Sequence, residues 1–160
     1  MNGKDKGLMH WRERPMAHWV ADALVAVSSP LLISANRSLE EYRLLGDVLQ
    51  DATDFKGQGP LAGLFAGLTE AGKRGFDAVV VCPCDTPGIR PELFQRLLTA
   101  WREQPDLPVI AQADGRAHPL HGIYPVSLAK ALESQLRNDN RRVMVFAETA
   151  GAKTLDCPDA

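Results

Sequence analysis

Three amphipathic stretches of the chain each open on a proline, and short, wholly apolar runs separate them; few folds accept that alternation. Pro15 leads into Met16, Trp19, Val20, Ala23, Leu24 and Val27, apolar at spacings of three and four, the mark of a helix with one buried face. Pro60 opens a second stretch with Leu61, Leu64, Phe65 and Leu68, and Pro91 a third with Phe94, Leu97, Leu98 and Trp101. Proline suits the first helical position because the amide it lacks would have no partner there. The runs Leu31–Ile33, Val48–Leu49, Ala78–Cys82 and Pro108–Ala111 are too short for helices and lack polar alternation, as strands covered on both faces do. Such strands alternating with helices predict right-handed crossovers and a mostly parallel sheet with helices on both faces, a three-layer α/β fold.

Ala78–Cys82 is the expected central strand. Ser38 with Glu41 three residues later reads as a capping box for a short helix through Leu45. Asp114 and Gly115 mark a turn, after which Ile123 and Tyr124 are expected to pair antiparallel with Pro108–Ala111. A helix is expected over Val126–Leu136, helix or strand over Arg141–Thr149, and a last strand at Leu155. No repeat or linker breaks the 160 residues, which predicts one domain over 1–160.

Eighteen basic against twenty acidic side chains leave a net charge of −2, which supplies no footprint for a nucleic-acid backbone. No apolar stretch approaches the roughly 18–20 residues that span a bilayer, and the first ten residues lack the apolar core of a secretion signal. Three cysteines, Cys82, Cys84 and Cys157, are too few and odd in number for a disulfide framework. A cytoplasmic protein is expected, free of membrane and nucleic acid.

In open α/β sheets ligands bind beyond the carboxyl ends of strands, here the loops that carry Ser34, Asn36, Asp51 and Asp85. Asp85 directly follows a buried strand, where a carboxylate can hold a divalent cation that also touches substrate phosphates; an aspartate opening a turn before Pro87 is the plainer alternative. Lys6 can set a point charge against phosphate oxygens, although lysines near a terminus are ordinarily just solvated. Gly57–Gly63 ends at a helix N-terminus, whose free amides and dipole suit anionic groups, yet it is neither a Walker loop nor a dinucleotide fingerprint. Cys82 and Cys84 stand two apart, a spacing of neither a zinc knuckle nor a thioredoxin-type pair. His118 and His121 would point to opposite faces of a strand, poorly placed to share a metal. Arg141 and Arg142 can take an anion or simply be solvated at a helix start.

Taken in order, these pieces resemble the molybdenum cofactor guanylyltransferases, the MobA-like nucleotidyltransferases. The resemblance runs through MNGKDKGL at Met1–Leu8, WVADAL at Trp19–Leu24 and SANR at Ser34–Arg37. It continues through Asp51 with GPLAG at Gly59–Gly63, CPCDTP at Cys82–Pro87, HPL at His118 and RRVMVF at Arg141; CPCDTP is the most specific match. The resemblance implies a Rossmann-like nucleotidyltransferase domain that transfers GMP from Mg-GTP to the phosphate of molybdopterin and releases pyrophosphate. It implies catalytic roles for Lys6 and Asp85, with Asp85 on Mg²⁺. Lys6, Ser34, Asp51, Gly59, Pro60, Leu61 and Gly63 would bind the nucleotide. The implied partners are GTP, molybdopterin, and the proteins of molybdenum insertion and molybdoenzyme maturation; if complete, the protein is expected to be a monomer. Cytidylyl transfer, transfer to a sugar phosphate, and a non-catalytic molybdopterin-binding module are the alternatives.

Three departures accompany the resemblance. The family's first strand and LAGG loop would precede Met1, its NxNTP segment would follow Ala160, and Ser34 stands where many members have asparagine. The expectation is therefore a domain truncated at both ends, with exposed strand edges and weak or no activity.

Overall fold

The computed structural model describes residues 5–157; Met1–Lys4 of the MNGKDKGL segment lie outside the described residues. Two short strands, β1 (His10–Trp11) and β2 (Arg14–Pro15), pair antiparallel around Arg12 and Glu13, both at positive φ. That two-residue hairpin is absent from the sequence expectations, because neither residue is one that usually marks a left-handed turn. Helix α1 (Met16–Val25) follows and buries Ala17, Val20, Ala21 and Ala23. Strand β3 (Leu32–Ser34) is joined through α2 (Leu39–Arg43) to β4 (Asp47–Leu49), and the two strands pair in parallel, Ile33 against Val48. The capping box does not form: Ser38 sits in the left-handed region at φ 56° and its side chain caps nothing. Its hydroxyl is thereby aimed away from the amides it was expected to accept from.

Helix α3 (Pro60–Lys73) leads to β5 (Ala78–Val81), α4 (Pro91–Glu103) to β6 (Val109–Ala113), and a tight turn at Asp114 and Gly115 to β7 (Arg116–Pro125). Helix α5 (Ala129–Arg137), helix α6 (Val143–Thr149) and β8 (Lys153–Asp156) complete the order. Arg141–Thr149 thus resolves mostly to helix. The four-stranded sheet runs β5-β7-β6-β8. Strand β7 is antiparallel to β5 and β6, as Val109 opposite Ile123 requires, and β8 is parallel to β6. Three of the four strands therefore point one way, and the sheet is mixed through β7.

Side chains alternate across this sheet as the strand period demands. Val79, Val81, Ile110 and Tyr124 face a cluster with Leu61, Leu64 and Leu68 of α3, Leu132 and Leu136 of α5 and Phe146 of α6. Val80, Val109, Ala111 and Ile123 face the opposite cluster, with Ala23 of α1 and Leu93, Phe94 and Leu97 of α4. Those are the expected three layers. Phe94 and Leu97 are fully buried, and each such side chain contributes about 1.5–3 kcal/mol relative to exposure.

Strand β5 is not central. It is the edge of its sheet, and Ala78–Val81 are only half-buried. The β3–β4 pair forms a separate sheet, and α3 packs against both β3 and β5. Local hydrophobicity at β5 reflects cover on two faces; it carries no information about hydrogen-bonded neighbours.

Candidate active site

The segment around Lys6 is built on Asp5. Its carboxylate oxygen Oδ1 accepts from the Gly7 amide at 3.1 Å, closing a 3₁₀ turn over Lys6–Leu8, and from the Tyr42 hydroxyl at 2.6 Å. Arg37 Nε lies 3.9 Å from the other oxygen. Gly7 is buried where a side chain cannot fit: a Cβ there would stand 2.8 Å from Cys84 Sγ and collide with the Tyr42 hydroxyl. Lys6 itself is exposed, with no ion pair to another described residue. The backbone beside this free ammonium is thus pressed against the residue preceding Asp85.

The loop after β5 holds its shape by internal hydrogen bonds. Thr86 Oγ1 donates to the Pro83 carbonyl at 3.1 Å and lies 3.4 Å from Cys82 Sγ. Burial pushes the Cys82 thiol up to about 12, and burial with nearby Asp85 raises Cys84 too. The shifts favour the thiol over the thiolate at both, Cys82 half-buried and Cys84 exposed. Asp85 projects outward, exposed, its carboxylate in no hydrogen bond or ion pair with another described residue. No group of three or more histidine, cysteine, aspartate or glutamate side chains able to hold a metal exists among the described residues. A lone carboxylate with open space suits Mg²⁺, which keeps most of its waters and shares phosphate oxygens, and does not suit zinc.

The nucleotide half of the expected site gathers around α3. Asn36 and Asp51 bond reciprocally: Asn36 Nδ2 donates to Asp51 Oδ2 and the Asp51 amide to Asn36 Oδ1, both at 3.0 Å. The pair clips the loop after β3 to the loop after β4. Gly59 takes φ 78°, a conformation open to glycine, and turns the chain into α3 with Pro60 at its start. Gly59 and Pro60 are exposed, whereas the Leu61 side chain is fully buried in the core, so toward a ligand it offers backbone alone. Gly63 lets α3 close on β3, since a Cβ there would collide with the Ser34 hydroxyl. Gln58 Oε1 is buried without a hydrogen-bond partner among the described residues.

Sequence reasoning missed the residue that joins these halves. Tyr42 lies on α2, within the β3–β4 connection, is 3% exposed, and touches both Asp5 and Cys84. No spacing rule flags a tyrosine 37 residues from its aspartate.

The two histidines also depart from expectation. Strand β7 pairs Gly122 with Ile110 but His118 with Ala111, so Pro119, Leu120 and His121 bulge out of register. The Tyr124 hydroxyl donates to the Pro119 carbonyl at 2.5 Å and braces the bulge. The rings that a regular strand would separate instead meet edge to face, centroids 5.9 Å apart. His121 is 9% exposed; burial and His118 push its imidazole below the usual value, and Asp85 pushes back.

Arg141 and Arg142 line an open pocket of about 510 Å³ with Asn138, Asp139 and Asn140, just beyond α5. Nearby Arg137 reaches Asp54 at 3.6 Å and lies over the Phe55 ring.

Relatives of this arrangement are well defined. A molybdenum cofactor guanylyltransferase of Cereibacter sphaeroides is 39% identical over 99% of this chain and 80% of its own length. One of Ectopseudomonas mendocina is 31% identical over 99% and 76%. The molybdopterin-guanine dinucleotide biosynthesis protein A of Archaeoglobus fulgidus superposes with a TM-score of 0.76 at 20% identity, covering 97% of this chain and 76% of that one. A 2-C-methyl-D-erythritol 4-phosphate cytidylyltransferase of Thermus thermophilus shares the fold at a TM-score of 0.70 and 15% identity, covering 95% and 83%. The MobA-like NTP transferase domain matches residues 1–153, and it is to this family that the chain belongs.

Proposed function

We propose that this chain is a molybdenum cofactor guanylyltransferase: it transfers GMP from GTP to the terminal phosphate of molybdopterin, with release of pyrophosphate. The observation that carries the reading is the exposed carboxylate of Asp85, unpaired among the described residues, locked through Cys84, Gly7 and Tyr42 to the segment of exposed Lys6. It occurs in a chain whose relatives bear that name.

In the proposed mechanism Lys6 sets its charge against the triphosphate, where negative charge grows on the departing pyrophosphate. Ser34, Asp51, Gly59, Pro60 and Gly63 form the nucleotide side, with the Leu61 backbone. The N-terminus of α3 offers free amides to a polar or anionic group. Asn36 holds the Asp51 carboxylate by one oxygen, leaving the other for the guanine N–H donors or the ribose. Asp85 would hold Mg²⁺, which, when bound, neutralises charge on the reacting phosphates. Alignment of the attacking phosphate supplies much of the remaining acceleration. The wider expectations, exchange with molybdenum-insertion and molybdoenzyme-maturation proteins and a cytoplasmic site of action, go with this reading. No helix among the described residues is long and apolar enough to cross a membrane.

The test is Mg²⁺-dependent pyrophosphate release with GTP and molybdopterin, beside the nucleotide-induced rise in melting temperature. The reading expects release and a rise with GTP, and neither with CTP. Preference for CTP overturns the base assignment. Binding of GTP without any release makes the chain a binding module and overturns the enzymatic reading.

A further inference from the structure

We infer that His118 and His121 form the acceptor side of this site, the two imidazoles binding the phosphate of the acceptor substrate across Asp85 from the nucleotide. The inference rests on the guanylyl-transfer reading above. Bulges next to active sites re-aim side chains, and the one in β7 takes three residues out of the β6 register to bring both rings to one place. That place is set by the pairing of Val81 with Gly122. His121 therefore stands just past the end of β5, where the loop bearing Asp85 begins, and Asp85 acts on its charge. Neither imidazole hydrogen-bonds to another described residue, although His121 is 9% exposed. A nearly buried imidazole ordinarily finds a partner, and phosphate oxygens are good acceptors for its N–H.

Topology selects which phosphate. Ser34, Asp51 and Gly59–Gly63 lie on β3, on the loop after β4 and on α3, whereas the histidines lie on β7, which is hydrogen-bonded to β5 in a sheet separate from the β3–β4 pair. The loop that carries Asp85 meets both sets, through Cys84 against Tyr42 of the β3–β4 connection and through Asp85 acting on His121. In phosphoryl transfer the attacking and leaving oxygens stand roughly in line across the phosphorus, so the acceptor must approach from the side opposite the departing pyrophosphate. The acceptor phosphate oxygen forms the new bond to the α-phosphorus as the bond to pyrophosphate breaks. The histidines hold and orient that phosphate and exchange no proton with it.

The chain has only four histidines, so their imidazole C2–H proton resonances can be followed individually, with H118Q and H121N supplying the assignments. Molybdopterin with Mg²⁺ is expected to shift the His118 and His121 signals and leave those of His10 and His18 in place. GTP with Mg²⁺ alone is expected to leave the His10, His18 and His118 signals in place and to move that of His121 less than the acceptor does, through Asp85. In turnover, each variant is expected to raise the acceptor KM about tenfold, roughly one hydrogen bond to phosphate, with the KM for GTP unchanged. Because His118 is half-buried, H118Q serves even where H121N folds poorly. Unmoved His118 and His121 signals with molybdopterin, or equal rises in both KM values, overturn the inference while GTP-dependent stabilisation keeps the functional reading intact. Loss of GTP-dependent stabilisation and of transfer in the unmodified chain overturns both.

Discussion

Replacing Tyr42 by phenylalanine removes one oxygen and tests the joint between the two halves of the site. The ring stays buried, so the packing contribution of this 3%-exposed residue is retained, and what disappears is the 2.6 Å hydrogen bond to Asp5 together with the weaker contact of the hydroxyl with the Cys84 thiol. Its length falls in the range of about 2.5–2.7 Å for a hydroxyl donating to a carboxylate. Bonds to charged groups contribute about 1.5–3 kcal/mol. Asp5 keeps the Gly7 amide and nearby Arg37, which places the loss in the lower part of that range, about 1.5–2 kcal/mol. For a chain of this size that lowers the melting temperature by about 3–8 °C. Urea unfolding followed by tryptophan fluorescence measures it, with Trp11 and Trp19 reporting on the N-terminal hairpin and first helix and Trp101 on α4. Detachment of the Lys6–Leu8 turn alone would spare global stability and weaken GTP binding through the misplaced Lys6. The reasoning is refuted if Y42F changes stability by less than about 0.5 kcal/mol and also leaves the GTP-induced melting shift unaltered.

Substituting Asp85 by alanine should abolish Mg²⁺-dependent turnover while changing urea stability by no more than about 0.5 kcal/mol, as expected of an exposed, unpaired side chain; retained activity removes it from the metal site. Stability should fall as pH drops below about 6.5: His121 has a lowered value in the folded chain, so the unfolded chain takes its proton first and the contribution present above 6.5 is lost toward the folded value. His118 and Asp85 face the same ring with opposite effects, and H121N should flatten this slope in urea titrations between pH 7 and 5. Cys82, pushed up to about 12, should react with a disulfide reagent at pH 8 at least about a hundredfold more slowly in the native chain than in urea; fast native labelling would contradict its burial.

Much of the fold was legible because it is local. Pro15, Pro60 and Pro91 each stand at or immediately before a helix start, and the three helices bury the residues that the three-and-four spacing selects, such as Val20, Leu68 and Phe94. Strand order was not legible, because hydrogen-bonded neighbours are chosen by chain packing. Ala78–Val81 is the most apolar strand run and yet sits at an edge, while β7, with His118, Pro119 and Gly122 in its sequence, lies inside. The same distinction explains Ser38. Its spacing to Glu41 satisfies a capping rule, but the turn from Asn36, fixed by its bonds to Asp51, delivers Ser38 in a left-handed conformation.

The candidate site divides along the same line. Candidate residues that stand at or after a strand end, Ser34, Asp51 and Asp85, could be named from the position of the preceding apolar run. Residues whose role depends on a non-local contact could not: Tyr42 reaches Asp5 across 37 positions, and Gly7 is small because of Cys84 and Tyr42, not because of any turn. The histidines mark the limit most sharply. Strict alternation assigns His118 and His121 to opposite faces, and that assignment fails because a bulge, braced by Tyr124 on Pro119, adds residues with no partner on β6. A bulge weakens the ladder where it occurs, and this one lies at the carboxyl end of β5, where Asp85 emerges. Register is thus given up at the end of the sheet that carries the candidate site, which is why a periodic rule that succeeds for the core of the sheet fails there.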